Sequence, residues 1–237
     1  MHRFYLPDPD SLVLSGEEAH HCRDVLRLRS GDEVEIFDGL GHATRCRIAE
    51  MTKRGVHLTS LERRISAPLT CHITLAAAVI KKNFDLIVQK ATELGVETIV
   101  PLVTERTVVH FVGHKATRWR EIALEACKQC GNNRLPNIPE PQTLKEFLAA
   151  PGLYHLKLVA SLQADAQPLK EILSYPPPRI VLLLVGPEGD FTETEYAAAR
   201  AAGCRPLTLG PLTLRAETAA LYALSIVHHE LVTHGGV

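Results

Sequence analysis

An α/β fold built on a parallel sheet, preceded by a small β-rich unit, is the class this sequence predicts. Three observations carry the prediction. From Thr70 onward, runs that are apolar on both faces alternate with segments at helical spacing, the pattern of parallel strands covered by helices. Before Ala67-Pro68 the pattern is different, with short alternating runs separated by turn residues. The chain of 237 residues is 46% apolar and 22% charged, which is ample for a sizeable core and ordinary for a folded protein.

Arg3 to Leu6 is a short extended run ended by Pro7. Ser15 and Glu18 have capping-box spacing, and the helix they open carries Ala19, Cys22, Val25 and Leu26 on one face and stops before Ser30-Gly31. Glu33 to Phe37, His42 to Glu50 and Val56 to Leu61 alternate around turns at Asp38-Gly39 and Lys53-Arg54-Gly55. Residues 1–68 are therefore expected to form a small antiparallel β unit of barrel type, with Ala67-Pro68 as a linker to residues 69–237.

In the second part, Cys71 to Ile80 is a near-continuous apolar strand. Asn83 to Leu94 is a helix with Phe84, Ile87, Val88 and Ala91 at helical spacing and Gly95 as its stop. Thr98 to Val103 is a strand, and Arg118 to Cys130 a helix with Trp119, Ile122, Ala123 and Ala126 inward and Gly131 closing it. Leu156 to Leu162 and Arg179 to Val185 are strands, with Pro168 to Tyr175 a short helix between them. Glu193 to Ala202 is a helix stopped by Gly203, Arg205 to Leu209 a strand, and Ala216 to Val232 a final helix that is apolar almost all round. A helix of that kind needs burial on more than one side, by a dimer or by its own domain.

Composition excludes several classes. No run approaches the roughly 18 apolar residues of a membrane span, and the N-terminus lacks a signal pattern, so a cytoplasmic protein is expected. The six cysteines are scattered, which fits reduced thiols. Cys127 and Cys130 form a lone CxxC inside a helical pattern, without the second ligand pair a zinc site needs, so no metal is expected. The formal net charge of −1 leaves no broad basic surface, and any acidic partner must be held by local clusters.

Ligands of parallel sheets bind at the carboxyl ends of the strands, which directs attention to three loops. They are Ser161 to Asp165, Gly186-Pro187-Glu188-Gly189-Asp190-Phe191-Thr192, and Leu209 to Ala219. Thr192 and Glu195 have capping-box spacing, and Arg215 and Glu217 place a charged pair at a helix start. None is a GxGxxG fingerprint, a GxxxxGK[ST] loop or a GxSxG elbow.

Taken together the blocks are specific. The chain resembles the bacterial 16S ribosomal RNA uridine-N3 methyltransferase family of the SPOUT superfamily. The resemblance runs through His20-His21-Cys22-Arg23-Asp24-Val25-Leu26-Arg27, Gln89-Lys90-Ala91-Thr92-Glu93-Leu94-Gly95-Val96, Glu105-Arg106-Thr107, Arg118-Trp119, Glu125-Ala126, Gln129-Cys130 and Arg134-Leu135-Pro136. It ends in Gly186-Pro187-Glu188-Gly189 and Leu214-Arg215-Ala216-Glu217-Thr218-Ala219. It implies a PUA-like RNA-binding barrel over 1–68, a trefoil-knotted methyltransferase domain over 69–237, S-adenosylmethionine as methyl donor and a homodimer. It further implies 16S rRNA, within the assembled small ribosomal subunit, as partner, and N3 of one uridine as target.

Under that resemblance Arg215 stabilises the anion formed when the imide proton of N3 is lost, and Glu188 accepts the proton or orders its loop. The donor lies among Leu162, Gly186, Pro187, Gly189, Leu209, Gly210, Leu214 and Thr218. RNA contacts are expected from His20, Arg23 and Arg27, at i, i+3 and i+7 of the first helix, from the flanking Arg3 and Arg29, and from Arg106 and Arg134. Lys81, Lys82, Arg118 and Arg120 add to the second of these patches. Three departures stand out. Asp190 occupies the last place of a Gly-Pro-Glu-Gly-Gly run, where a carboxylate is expected to change loop geometry or repel RNA. Leu212 replaces the first arginine of a Gly-x-Arg-Ile-Leu-Arg run, and Asn132 stands where related chains often carry arginine. These keep open a rival expectation, a non-catalytic RNA-binding or ribosome-assembly factor.

Overall fold

The computed structural model describes residues 1–67, 69–108, 115–150 and 152–232. Two compact units result, Met1–Pro68 with Leu124–Leu135, and Leu69–Ala123 with Pro136–Val237.

In the first unit, β1 (His2–Tyr5), β2 (Val13–Leu14), β3 (Glu33–Phe37), β4 (His42–Met51) and β5 (Val56–Ile65) form one sheet in the order β1-β3-β4-β5-β2. Alternation along these strands sends Val34, Ile36, Cys46, Ile48, Val56 and Leu58 into one core. Phe4 of β1 and Leu14 of β2, at opposite ends of the strand order, are fully buried in that same core, so the sheet curls around it. The pairing is not purely antiparallel: β1 runs parallel to β3, because the chain crosses through β2 and a helix before returning beside β1. The C-terminal end of a long helix and the turn after it belong to this unit. Gly41 N–H donates to the Asn133 carbonyl (2.9 Å), and Leu135 N–H donates to that of Gly39 (2.8 Å).

The first helix differs from its expectation. Helix α1 (Gly16–His20) runs into a π-helical turn, His21–Val25, in which Leu26 N–H bonds the carbonyl of His21 five residues back. Ser15 makes no side-chain cap; Glu18 instead pairs with Lys128 at 2.5 Å. The extra residue in the turn rotates the chain beyond it. Ala19 and Cys22 remain buried, but Val25 is 57% exposed, and Arg27 has left the helix at φ 54°. His20, Arg23 and Arg27 therefore do not share one helical stripe.

The second unit carries a six-stranded, wholly parallel sheet in the order β11-β9-β10-β6-β7-β8. Its strands are β6 (His72–Ala78), β7 (Thr98–Val103), β8 (Gln142–Thr143), β9 (Leu156–Ala160), β10 (Ile180–Val185) and β11 (Arg205–Leu207). The helices are α2 (Phe84–Glu93), α3 (Lys115–Cys130), α4 (Leu144–Ala149), α5 (Leu169–Ile172), α6 (Glu193–Ala201) and α7 (Ala216–Leu231). The central strand β10 alternates between two cores, as a strand buried on both faces must. Val181, Leu183 and Val185 pack with Phe84, Ile87 and Trp119, whereas Leu182 and Leu184 pack with Phe191 and Tyr196. Strand β8 and helix α4 have no periodic signal long enough to mark them, although Thr143 and Glu146 form a complete capping box.

Helix α7 buries Ala216, Ala220, Ala223, Leu224, Val227 and Leu231. Thr218, Tyr222, Ser225 and His229 lie exposed at helical spacing, so packing within the unit covers one side and leaves another open. On this helix burial, and then the neighbouring His229, hold His228 below its ordinary value of 6.5. The unfolded chain therefore takes up this proton at a higher pH than the folded one. The stability linked to neutral His228 is complete above the unfolded value and is lost as pH falls toward the lowered folded value. The melting temperature should fall as pH drops below about 6.5, and H228Q should remove part of that fall in a pH series of thermal melts.

Candidate methyl-donor cleft

The strand order jumps where β10 inserts between β9 and β6, and loops leaving the carboxyl ends there have room for a ligand. A cleft open to solvent lies at this place. All three predicted loops reach it. Ser161 and Leu162 follow β9; Gly186, Pro187, Glu188 and Asp190 follow β10; Leu209, Leu212, Thr213 and Leu214 follow β11. Ala160, Val185, Ala216 and Ala219 complete the lining; the last two lie within the third loop singled out in the sequence, and Ala160 and Val185 precede the first two.

Each loop is braced. Arg200 of α6 pairs with Asp165 at 2.9 Å and also contacts the Gln163 side-chain oxygen, which holds the loop after β9. The loop after β10 enters α6 through a complete capping box, in which Thr192 accepts from Glu195 N–H and the Glu195 carboxylate accepts from Thr192 N–H. The other oxygen of Glu195 accepts from Glu105 N–H at 2.9 Å, which ties in the loop after β7. After β11, Gly210 turns the chain at φ 103°, a conformation that favours glycine.

Asp190 resolves one departure. It sits at φ 62°, the left-handed region that glycine enters freely and aspartate tolerates. Its Oδ1 accepts from Phe191 N–H (2.8 Å) and from the Tyr196 hydroxyl (2.8 Å). The loop therefore keeps the backbone a glycine would give it, with a carboxylate added to the cleft wall. Burial, reinforced by Asp190, pushes the Tyr196 phenol above its usual range. At the second departure, Leu212 is 71% exposed and adds an apolar rim to the cleft.

Gly189, Gly210 and Thr218 lie outside the lining. Gly189 faces Arg106 instead: a Cβ there would meet Arg106 Cδ at 3.3 Å, and the Arg106 guanidinium donates to the Gly189 carbonyl. Arg106, expected on RNA, thus clamps the loop after β10. R106A should therefore weaken the expected binding of S-adenosylmethionine about three- to tenfold in calorimetric titration, with little change in melting temperature, because Arg106 is exposed.

Arg215 is the N-cap of α7, exposed, with its side chain free of any partner among the described residues. Its neighbours Leu214 and Ala216 line the cleft. Glu217, the obvious partner for it, is taken by Asn83 at 2.9 Å. Glu188 is exposed on the cleft wall and also lacks a partner among the described residues.

The remaining predicted cations divide into two groups. Arg3, expected on RNA, is engaged within the first unit: its side chain is 9% exposed, pairs with Glu35 at 2.7 Å, donates to the Cys127 carbonyl and Asn133 Oδ1, and lies 4.6 Å over the Phe37 ring. Arg134, expected on RNA as well, donates from its guanidinium to the Leu40 (2.9 Å) and Ser66 (3.3 Å) carbonyls. Both donate inside the first unit, Arg3 to two side chains and a carbonyl, Arg134 to two carbonyls, with Arg134 Nε buried and without a hydrogen-bond partner among the described residues. Asn132, the third departure, accepts from Arg134 N–H there. His20 and Arg23 share Asp24, at 2.8 and 2.9 Å, while Arg27 and Arg29 are exposed and unpaired in their side chains among the described residues. In the other unit, Arg118 pairs with Asp85 and Arg120 with Glu140, leaving Lys81 and Lys82 as open cations among the described residues.

Fold and cleft together define a two-unit protein whose parallel α/β unit takes a small ligand at its strand ends. The RNA methyltransferase domain family matches residues 67–228, and the RNA methyltransferase PUA domain family matches residues 14–59. Ribosomal RNA small subunit methyltransferase E of Bacillus subtilis is 31% identical over 236 residues, covering 95% of this chain and 92% of the relative. Its Synechocystis counterpart is 32% identical over 224 residues, covering 92% of this chain and 73% of the relative. The structure of the Neisseria gonorrhoeae enzyme of the same name, bound to S-adenosyl methionine, superposes with a TM-score of 0.87 at 31% identity over 97% of this chain and 98% of that one. The chain belongs to the ribosomal RNA small subunit methyltransferase E family.

Proposed function

We propose that this protein transfers a methyl group from S-adenosylmethionine to N3 of one uridine in 16S rRNA of the small ribosomal subunit. The observation that carries the reading is the cleft itself, built from three braced loops at the carboxyl ends of β9, β10 and β11. Its chemistry fits the donor. Leu162, Leu209 and Leu214 offer apolar walls to a purine, Gly186 and Pro187 present backbone close to it, and Glu188 and Asp190 suit a cation. Gly189, Gly210 and Thr218 would shape the cleft from its flanks. Bound there, S-adenosylmethionine supplies an electrophilic methyl group on a sulfonium.

The protein's own part is positioning and charge. Loss of the N3 proton leaves an anion spread over the flanking carbonyls of the base, and the unpaired Arg215 guanidinium is the group to stabilise it. Glu188, exposed and without a partner among the described residues, accepts the proton in this reading. Holding base and donor in line supplies the rest of the rate.

RNA would be gripped by Arg27 and Arg29, with His20 and Arg23, on the first unit, supported by the PUA match over residues 14–59. The reading takes 1–68 as the RNA-binding part and 69–237 as a knotted SPOUT methyltransferase domain. It adds a homodimer, for which the open Tyr222 face of α7 is support, and action in the cytoplasm on assembled subunits without a metal. The non-catalytic alternative drew on Asp190 and Leu212, and the loop geometry retained at Asp190 favours the enzyme. Incubation with methyl-labelled S-adenosylmethionine and unmethylated small subunits tests this. Label in 16S rRNA is expected, and subunit binding without label would return the alternative.

A further inference from the structure

The cleft has a one-sided charge. Among the described residues its lining holds two carboxylates, Glu188 and Asp190, and no lysine, arginine or histidine, against walls that are mostly apolar. Charges set in apolar surroundings act far more strongly than in water. The two carboxylates are not equivalent. Glu188 is exposed, so solvent screens it, whereas Asp190 is half-buried and fixed. Both hydrogen bonds to Asp190, from Phe191 N–H and the buried Tyr196 hydroxyl, fall on Oδ1. Oδ2 keeps no hydrogen-bond partner among the described residues. Two guanidinium groups stand close to this loop, but Arg200 is paired with Asp165 and Arg106 is turned onto the Gly189 carbonyl. Neither lines the cleft.

We propose that Asp190 makes the cleft selective for the positively charged methyl donor over its neutral thioether product. The inference rests on the donor reading above. Donor and product carry the same adenosine, ammonium and carboxylate groups; they differ in the methyl group and in the charge on sulfur. Apolar walls and backbone contacts hold both alike and cannot tell them apart by charge. A fixed carboxylate attracts the ammonium that both carry and, in addition, the sulfonium that only the donor carries, so the product is held less tightly and leaves readily after transfer.

The test is calorimetric titration of the whole protein with S-adenosylmethionine and with S-adenosylhomocysteine. D190N keeps the shape and an oxygen for both hydrogen bonds, and D190G removes the side chain at a glycine-tolerant φ. The wild-type protein should prefer the donor, and both variants should lower the donor-to-product affinity ratio about five- to tenfold at low salt. The ratio should move less in E188Q. A ratio unchanged in D190N and D190G, or an equal loss of affinity for both ligands, would overturn the proposal and leave Asp190 a structural residue. Failure of the wild-type protein to bind either ligand would instead overturn the donor reading, and this inference with it.

Discussion

R215A should lower kcat on small subunits by about 10²–10³-fold while changing donor affinity by less than about threefold, the signature of a group used in the transition state. The expectation follows from where the residue sits. Arg215 caps α7 through its backbone only, at φ −64°, a conformation alanine adopts as easily, and its side chain makes no cap bond. The substitution therefore removes a charge without removing a helix cap. No carboxylate among the described residues holds the guanidinium, so no buried partner is orphaned. Single-turnover kinetics beside calorimetric titration separate the two quantities. R215K, which keeps a charge but not the planar fork, should recover part of the rate. Turnover that survives in R215A would remove Arg215 from the chemistry.

R3A should destabilise the first unit by about 3–5 kcal/mol, because it leaves Glu35 with an unpaired charge in a poorly solvated place. Several further contacts go with it. The same guanidinium donates to the Cys127 carbonyl and to Asn133 Oδ1 and covers the Phe37 ring. It thereby joins β1 and β3 to the Leu124–Leu135 segment of that unit. Denaturant unfolding followed by the spectroscopic signal of the first unit should show the loss. The double variant R3A/E35A should recover part of it. An Arg3 that served RNA instead would lower subunit affinity and leave the unfolding midpoint in place.

The parallel sheet was legible because its central strands are buried on both faces and must therefore be continuous apolar runs, as β6 and β10 are. Where an element is two residues long, as in β2 and β8, no period exists to read. The π-helical turn at His21–Val25 escaped for a different reason. A pattern drawn at 3.6 residues per turn cannot register one extra residue, and that residue turns Val25 outward and separates Arg27 from His20.

The cleft was legible as three loops after three strands, since topology alone puts strand ends together. Its bracing was not. Arg106 and Gly189 are 83 residues apart, and Arg200 reaches back 35 residues to Asp165. Arg3 and Arg134 read as surface cations because charge in a sequence says nothing of the carbonyls that will surround it. Asp190 read as a disturbance because its partner, Tyr196, lies across the helix start.

Mass-spectrometric mapping of 16S rRNA, taken from unmethylated small subunits after incubation with the protein and S-adenosylmethionine, decides the proposed chemistry most directly. One new methyl group on N3 of a single uridine is the expected product, absent with R215A. A methyl group on another base or another atom, or full transfer by R215A, would contradict it.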